Sequence, residues 1–285
     1  MIKSRNSALV LIFAVACVLL IPLALMLLVP ATNHQLFLYI NHQGAILPDA
    51  VWANITLLGD GLWAMGFMSI IIFIANSKEP ANTPPLWART LACATVYGGI
   101  CLGIVVQLLK QSLDVYRPSK VFSATDINII GEPLSFHSFP SGHSATIFYM
   151  LAITLAYLVH HFSIKSLMLN LRQIILVNLL IFAAAIIAIS RITTGVHFPA
   201  DILAGSLLGW LFGWASVTLL YNKLRFGSIV TAVALALIGL ASILLFFHDS
   251  QLPQVELLTL GSGIIFTLFS AINLYNLALR QISKE

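Results

Sequence analysis

Charge is scarce in this sequence. Its 285 residues include 14 Lys+Arg and 10 Asp+Glu, or 8% charged side chains, against about 25% in an ordinary soluble domain. The apolar fraction is 59%, more than a soluble fold of this size can keep from water. These two figures exclude a soluble enzyme and a disordered chain. They also exclude a nucleic-acid-binding face, because the formal net charge of +4 is spread through a membrane-like composition rather than gathered in a basic stripe. Cysteine is nearly absent as well. Cys17, Cys93 and Cys101 all fall inside apolar runs. Cys93 and Cys101 would stand roughly 12 Å apart along a helix, too far for a disulfide. They read as small buried hydrophobes with no redox role. Internal repeats, low-complexity tracts and Gly/Ser linkers are missing too, so a single membrane domain is expected over residues 1–285.

Long apolar runs are what the chain has instead. A bilayer core takes about 20 apolar residues of helix, and eight such runs can be read. They are Ala8–Val29, Ile55–Asn76, Leu91–Leu109, His143–Val159, Ile174–Ile189, Ala200–Tyr221, Ser228–Phe247 and Leu257–Leu279. The first follows Lys3 and Arg5 like a signal peptide. Its apolar stretch is too long and no small-x-small site follows, so a retained span is expected. The stretch Asn33–Gly61 reads either as an interfacial amphipathic helix, with Tyr39 and Trp52 at headgroup depth, or as a plain loop.

Sorting the loops by side gives a topology. Lys3, Arg5, Lys78, Arg89, Lys165, Arg172, Lys223, Arg225, Arg280 and Lys284 fall on one side. The positive-inside rule makes that side cytoplasmic and places both termini there. Lys110, Arg117, Lys120 and Arg191 fall on the opposite side. Cations against the topological bias are costly unless an anion visits.

Three of these cations sit among chemically suggestive neighbours at the outer ends of spans. Lys110 closes the third span and Arg117-Pro118 follows six residues later. Pro140-Ser141-Gly142-His143 opens the fourth span. Ser190-Arg191 closes the fifth, followed by His197 and then by Asp201 at the start of the sixth. Arginine matches phosphate oxygens bidentately and lysine acts as a point charge. Ser141 suits an N-cap, Gly142 lets an anion approach the backbone, and the helix start favours phosphate. His143 stands where it could donate a proton. His197 and Asp201, four apart, are expected to share one face of a helix turn, with Asp201 fixing the histidine tautomer so that the other ring nitrogen is a nucleophile. A metal site is the rival reading, with His143 or His137 as a third ligand, but three nearby cations would repel a metal ion.

The order Lys-x6-Arg-Pro, Pro-Ser-Gly-His, Ser-Arg-x5-His-x3-Asp over Lys110–Asp201 resembles the type 2 phosphatidic acid phosphatase superfamily, in its membrane lipid phosphatase branch. The eight apolar runs give an expected all-α integral membrane protein of about eight transmembrane helices, two more than the six spans that the resemblance implies. Residues 8–221 would form a six-helix phosphatase-like core and residues 228–279 two additional C-terminal spans. The resemblance implies a phosphatase independent of metals and cofactors that works through a phosphohistidine. His197 would be the nucleophile, Asp201 its orienter, and His143 the group that protonates the leaving oxygen and then activates water. Lys110, Arg117, Ser141, Gly142 and Arg191 would hold the phosphoryl oxygens. The expected partners are a phosphorylated lipid substrate and the bilayer, with no nucleic acid.

The expected reaction is hydrolysis of a lipid phosphomonoester or pyrophosphate at the periplasmic face of a bacterial inner membrane. The candidate substrates are undecaprenyl pyrophosphate and glycerolipid phosphates, with a lean to the polyprenyl compound. The same phosphohistidine could instead serve a lipid phosphotransferase. A non-catalytic anionic-lipid transporter would use the cations alone, but the chain shows neither the inverted repeats nor the broken mid-membrane spans common in transporters. Lys120, His137 and the outer-loop acids Asp114, Asp126 and Glu132 receive no role.

Overall fold

The computed structural model describes residues 2–78, 86–162, 170–222, 227–248, 252 and 255–282. Helix α1 spans Ile2–Leu28, α2 Pro30–Gln43, α3 Asp49–Leu57 and α4 Gly61–Lys78. Helix α5 (Leu86–Cys93) runs through a π turn at Ala94–Gly98 into α6 (Gly99–Leu113). The short α7 (Pro118–Val121) lies in the outer loop. Then come α8 (Gly142–Phe162), α9 (Leu171–Thr193), α10 (Pro199–Asn222), α11 (Ser228–Leu244) and α12 (Glu256–Ile282). The protein is an all-α membrane protein, and eight helical stretches among the described residues are long and apolar enough to cross a bilayer. Their outward faces carry exposed side chains such as Phe13, Leu28, Phe182, Ile229 and Leu257. Helices suit this setting because each satisfies its own backbone hydrogen bonds in lipid.

Three span boundaries depart from the sequence reading, each for a local reason. The second span begins at Gly61, not Ile55, because the chain turns at Leu58–Asp60 and the Asp60 carboxylate accepts from the Leu62 amide at 2.8 Å. The fifth span runs from Leu171 to Thr193. Its polar first turn is stabilised by the Asn170 side chain, which accepts from the Arg172 amide at 3.1 Å. The third span starts earlier and ends later than Leu91–Leu109, because the π turn lets α5 and α6 continue as one rod. The stretch after α1 is helical, as α2 and α3. Trp52 donates to the Gly44 carbonyl at 2.7 Å and Tyr39 is exposed. Of the basic residues that set the expected topology, Lys165, Lys223, Arg225 and Lys284 lie outside the described residues.

The core is built around α8 and α10. Gly205, Gly209 and Gly213 recur every four residues along α10, and α8 packs onto this stripe. A Cβ at Gly205 would lie 2.3 Å from the Ser141 carbonyl oxygen, and one at Gly209 would lie 2.1 Å from that of Ala145. Small residues at this spacing let two backbones touch, the usual route to tight packing where lipid removes the hydrophobic drive between helices. Trp210, Tyr149 and Ile153 fill the space around the seam. The Tyr149 hydroxyl donates to the Ala94 carbonyl at 2.6 Å, anchoring the π turn to α8.

Helices α11 and α12 pack on each other and on α4. Their approach to α4 is close: a Cβ at Gly66 would sit 2.0 Å from the Phe266 ring. At the outer end Leu57, Trp63, Ile130, Leu245, Val255 and Phe266 form one apolar cluster. The C-terminal pair is thereby tied to the loops that surround the Lys110–Asp201 motifs, which all emerge at that same end.

Candidate functional site

His197 lies in the turn between α9 and α10, not on the helix as the four-residue spacing suggested. The turn is tight because Gly195 takes φ +74°, where a side chain would be strained and would strike the Asn128 carbonyl at 2.4 Å. The Arg191 carbonyl then accepts from the amides of both Val196 (3.2 Å) and His197 (3.1 Å). Pro199 opens α10, where its missing N–H leaves nothing unsatisfied. Asp201, in the first turn, reaches back over the helix start. Its Oδ2 accepts from the Phe198 amide at 2.8 Å and lies 3.3 Å from His197 Nδ1. A carboxylate in a first turn also suits the helix dipole. The expected pairing is therefore present, made by a capping carboxylate instead of a shared helical face.

Ser138, which the sequence did not single out, donates from Oγ to the same Oδ2 at 2.6 Å. Asp201 and His197 are each only 2% exposed. With Nδ1 directed at Asp201, the Nε2 lone pair of His197 faces outward, 3.4 Å from Arg117 Nη1. Burial pushes the His197 imidazole well below its ordinary 6.5, and Arg117, Arg191, Lys110 and His143 add to that effect. The ring is thus neutral, the form that carries a nucleophilic nitrogen.

The cations converge from three segments. Arg117 donates to the carbonyls of Phe136 (Nε, 2.8 Å), Val196 (Nη1, 3.1 Å) and His137 (Nη2, 3.4 Å). Lys110 Nζ donates to the same His137 carbonyl at 2.6 Å. Arg191 donates from Nη1 to Thr56 Oγ1 at 2.6 Å, while its buried Nε has no protein partner. His137 enters the site through its backbone, held at φ +57°. Its ring lies 3.1 Å from both Asp114 Oδ1 and the Lys110 carbonyl. Lys120, on α7, is exposed.

Ser141 caps α8 as its residue type suggests. Its Oγ accepts from the Ser144 amide at 3.4 Å and its carbonyl from the Ala145 amide at 3.1 Å. The Ser141 amide itself donates to the Asp201 carbonyl at 2.9 Å, fastening the start of α8 to the start of α10. The amides of the first turn at Gly142 and His143 point out of the helix start, where an anion is favoured. A Cβ at Gly142 would meet nothing within 4 Å, so the space before the helix is open. His143 and Arg191 line a cavity of ≈ 180 Å³ that continues to Asp60, Glu132, Thr194 and His248. The eight residues singled out from the sequence thus gather at one end of the helices. Ser138, Thr56 and Asp60 carry no spacing signal and were missed.

Residues 89–225 match the family model of the PAP2 superfamily. Among solved structures the chain is similar to Aquifex aeolicus LpxE, at 26% identity over 66% of this chain and 95% of that chain, with a TM-score of 0.49. It is also similar to a PAP2-type phosphatidylglycerolphosphate phosphatase from Bacillus subtilis, at 20% identity over 76% of this chain and 98% of that chain, with a TM-score of 0.48. No curated protein matches the chain. The tripartite motif from Lys110 to Asp201 falls inside the region that matches the PAP2 superfamily model, in a chain that this stretch makes similar to that superfamily.

Proposed function

We propose that the protein hydrolyses a lipid phosphate or pyrophosphate without a metal, at the periplasmic face of a bacterial inner membrane, through a phosphohistidine on His197. The domain is read as one unit, with residues 8–221 as the phosphatase core. One observation carries the reading: a buried His197 has Nδ1 3.3 Å from the Asp201 carboxylate and Nε2 3.4 Å from the Arg117 guanidinium.

The substrate phosphoryl group enters among Lys110, Arg117 and Arg191, with its oxygens also on the first-turn amides of α8. Nε2 of His197 attacks phosphorus and the bond to the lipid oxygen breaks. His143 gives its proton to that oxygen, and Asp201 stabilises the positive charge on the His197 ring. The arriving dianion offsets the charge of the surrounding cations. In the second step His143 takes a proton from water, the hydroxide attacks phosphorus, and the phosphorus–nitrogen bond breaks. Phosphate leaves and His197 is neutral again. The three cations act by stabilising the negative charge of the transferring group.

The test is phosphate release from a panel of lipid phosphates by the detergent-solubilised protein, with and without chelator, and by His197→Ala. The wild type should turn over in chelator and trap a phosphoryl group that acid removes, while His197→Ala should lose about a thousandfold or more in kcat. Equal activity in the two proteins overturns the assignment of the nucleophile.

A further inference from the structure

Helix α2 precedes residues 89–225, the stretch that matches the family model, and supplies none of the Lys110–Asp201 motif residues. One face of it nevertheless closes on the turn that carries His197. Asn33, Phe37 and Asn41 recur every four residues and so share that face. Asn33 Oδ1 accepts from the Ala200 amide at 2.9 Å, which satisfies a free donor in the first turn of α10. Phe37 is fully buried, its ring centroid 5.2 Å from that of Phe198 and 5.5 Å from that of Phe122. Asn41 is fully buried as well. Its Nδ2 donates to the carbonyls of Asn128 (2.9 Å), Ile192 (3.0 Å) and Thr193 (3.2 Å), and its Oδ1 accepts from the Asn128 amide at 2.8 Å. The side-chain amide fits only this way round, since one neighbour is a donor and the other three are acceptors. Ile192 and Thr193 are the last two residues of α9, where helix carbonyls lack intrahelical donors. Just past α2, a Cβ at Gly44 would lie 3.0 Å from Thr193 Cβ, so the two helix ends lie directly against each other.

We propose that α2 is a positioning element for the nucleophile: Asn41 fixes where the chain leaves α9, Asn33 fixes where it enters α10, and together they set the position of His197 between them. The inference rests on the phosphatase reading above. His197 follows Thr193 by four residues and precedes Ala200 by three. Between those points the backbone is a turn with Gly195 at φ +74°, held from within by the Arg191 carbonyl and from outside by one bond from Arg117 to Val196. Asp201 fixes the rotation of the imidazole through Nδ1; α2 fixes where the imidazole stands. In-line attack needs the reacting atoms about 3–3.5 Å apart, and a drift of about 1 Å costs about a hundredfold in rate. Lys110 and Arg117 come from segments that α2 does not hold through these bonds, so a loosened turn should impair the chemical step more than the capture of the phosphate.

The experiment measures kcat and KM of the full-length protein on the most rapidly hydrolysed lipid phosphate of the panel, together with thermal unfolding in detergent. Asn41→Asp keeps the size of the side chain and its acceptor but puts an oxygen where two N–H donors faced three carbonyls. Its kcat should fall by about a hundredfold with KM little changed. Asn33→Ala should lower kcat by about tenfold, and Asn33→Asp, which restores the acceptor for the Ala200 amide, should recover it. Asn33 is half-buried, so its variants keep the test open if Asn41→Asp does not fold. Asn273→Ala removes a buried 2.7 Å bond to the Ser69 carbonyl between α12 and α4, and should lower the unfolding temperature without changing kcat. Hydrogen exchange over residues 192–201 reads the grip without turnover, and should be faster in Asn41→Asp than in wild type. Wild-type kcat or wild-type exchange in Asn41→Asp overturns the proposal, as does a kcat loss that Asn273→Ala shares at equal loss of stability. Faster exchange in Asn41→Asp alongside a wild type that releases no phosphate would keep the grip of α2 and overturn the phosphatase reading instead.

Discussion

Replacing Gly205 by alanine tests whether the α8–α10 seam sets the geometry of the site. The new Cβ would lie 2.3 Å from the Ser141 carbonyl oxygen, against 3.4 Å for ordinary contact. The obstacle is backbone and cannot rotate away, so the helix starts must part by about 1 Å. Overpacking of this kind costs about 1–3 kcal/mol, which exceeds the roughly 1 kcal/mol that alanine gains over glycine in a helix interior. Both helix starts carry residues of the proposed site. Ser141 precedes His143 by two residues, and Asp201 precedes Gly205 by four. A displacement of about 1 Å between reacting groups costs about a hundredfold in rate. Thermal unfolding in detergent should therefore show Gly205→Ala less stable than wild type, and kcat on a lipid phosphate should fall by about one to two orders of magnitude. Gly103→Ala supplies the control: its Cβ would meet nothing within 4 Å on an exposed face of α6, so stability should hold or rise and kcat should not change. Wild-type turnover in Gly205→Ala would refute the idea that backbone contact at this seam positions the histidines.

Three further outcomes concern His197 and its neighbours. Ser138→Ala removes a 2.6 Å donor from buried Asp201; kcat should fall by about tenfold with a smaller change in KM, and Ser138→Thr should recover part of it, measured by steady-state kinetics. His197 binds fewer protons folded than unfolded between its lowered pKa and the ordinary 6.5. Stability should therefore increase with pH across that window and decline as pH falls through it. Lys110→Met withdraws one of the cations that lower this pKa, so the acid limb of the pH profile of kcat/KM should move to higher pH; an unmoved limb would contradict the electrostatic account.

The gathering of the candidate-site residues was readable from sequence because their spacing is local. Lys110 and Arg117 bracket one helix end, and Arg191, His197 and Asp201 bracket a single turn. Eight spans were readable because apolar runs of that length have few other uses. Interruptions were harder. Gly59-Asp60-Gly61 reads as part of an apolar run until the Asp60 cap is seen. The helical placement of His197 followed from counting four residues, which cannot reveal that Asp201 reaches backward as a cap. Thr56, Ser138 and His248 meet the site from 135, 59 and about 100 residues away or from neighbouring turns, and nothing in one sequence joins such positions. The glycine stripe at Gly205, Gly209 and Gly213 is different: small residues every fourth position in an apolar run are a packing signal visible in the sequence itself.

Arg117 spends its guanidinium on the carbonyls of Phe136, His137 and Val196 as well as facing His197. One side chain is therefore both a charge beside His197 and a clasp between the outer loop and the α9–α10 turn. Lysine, with no planar fork, could keep the charge and lose the clasp. Arg117→Lys should therefore leave a cation beside His197 while loosening the hold of the outer loop on the α9–α10 turn.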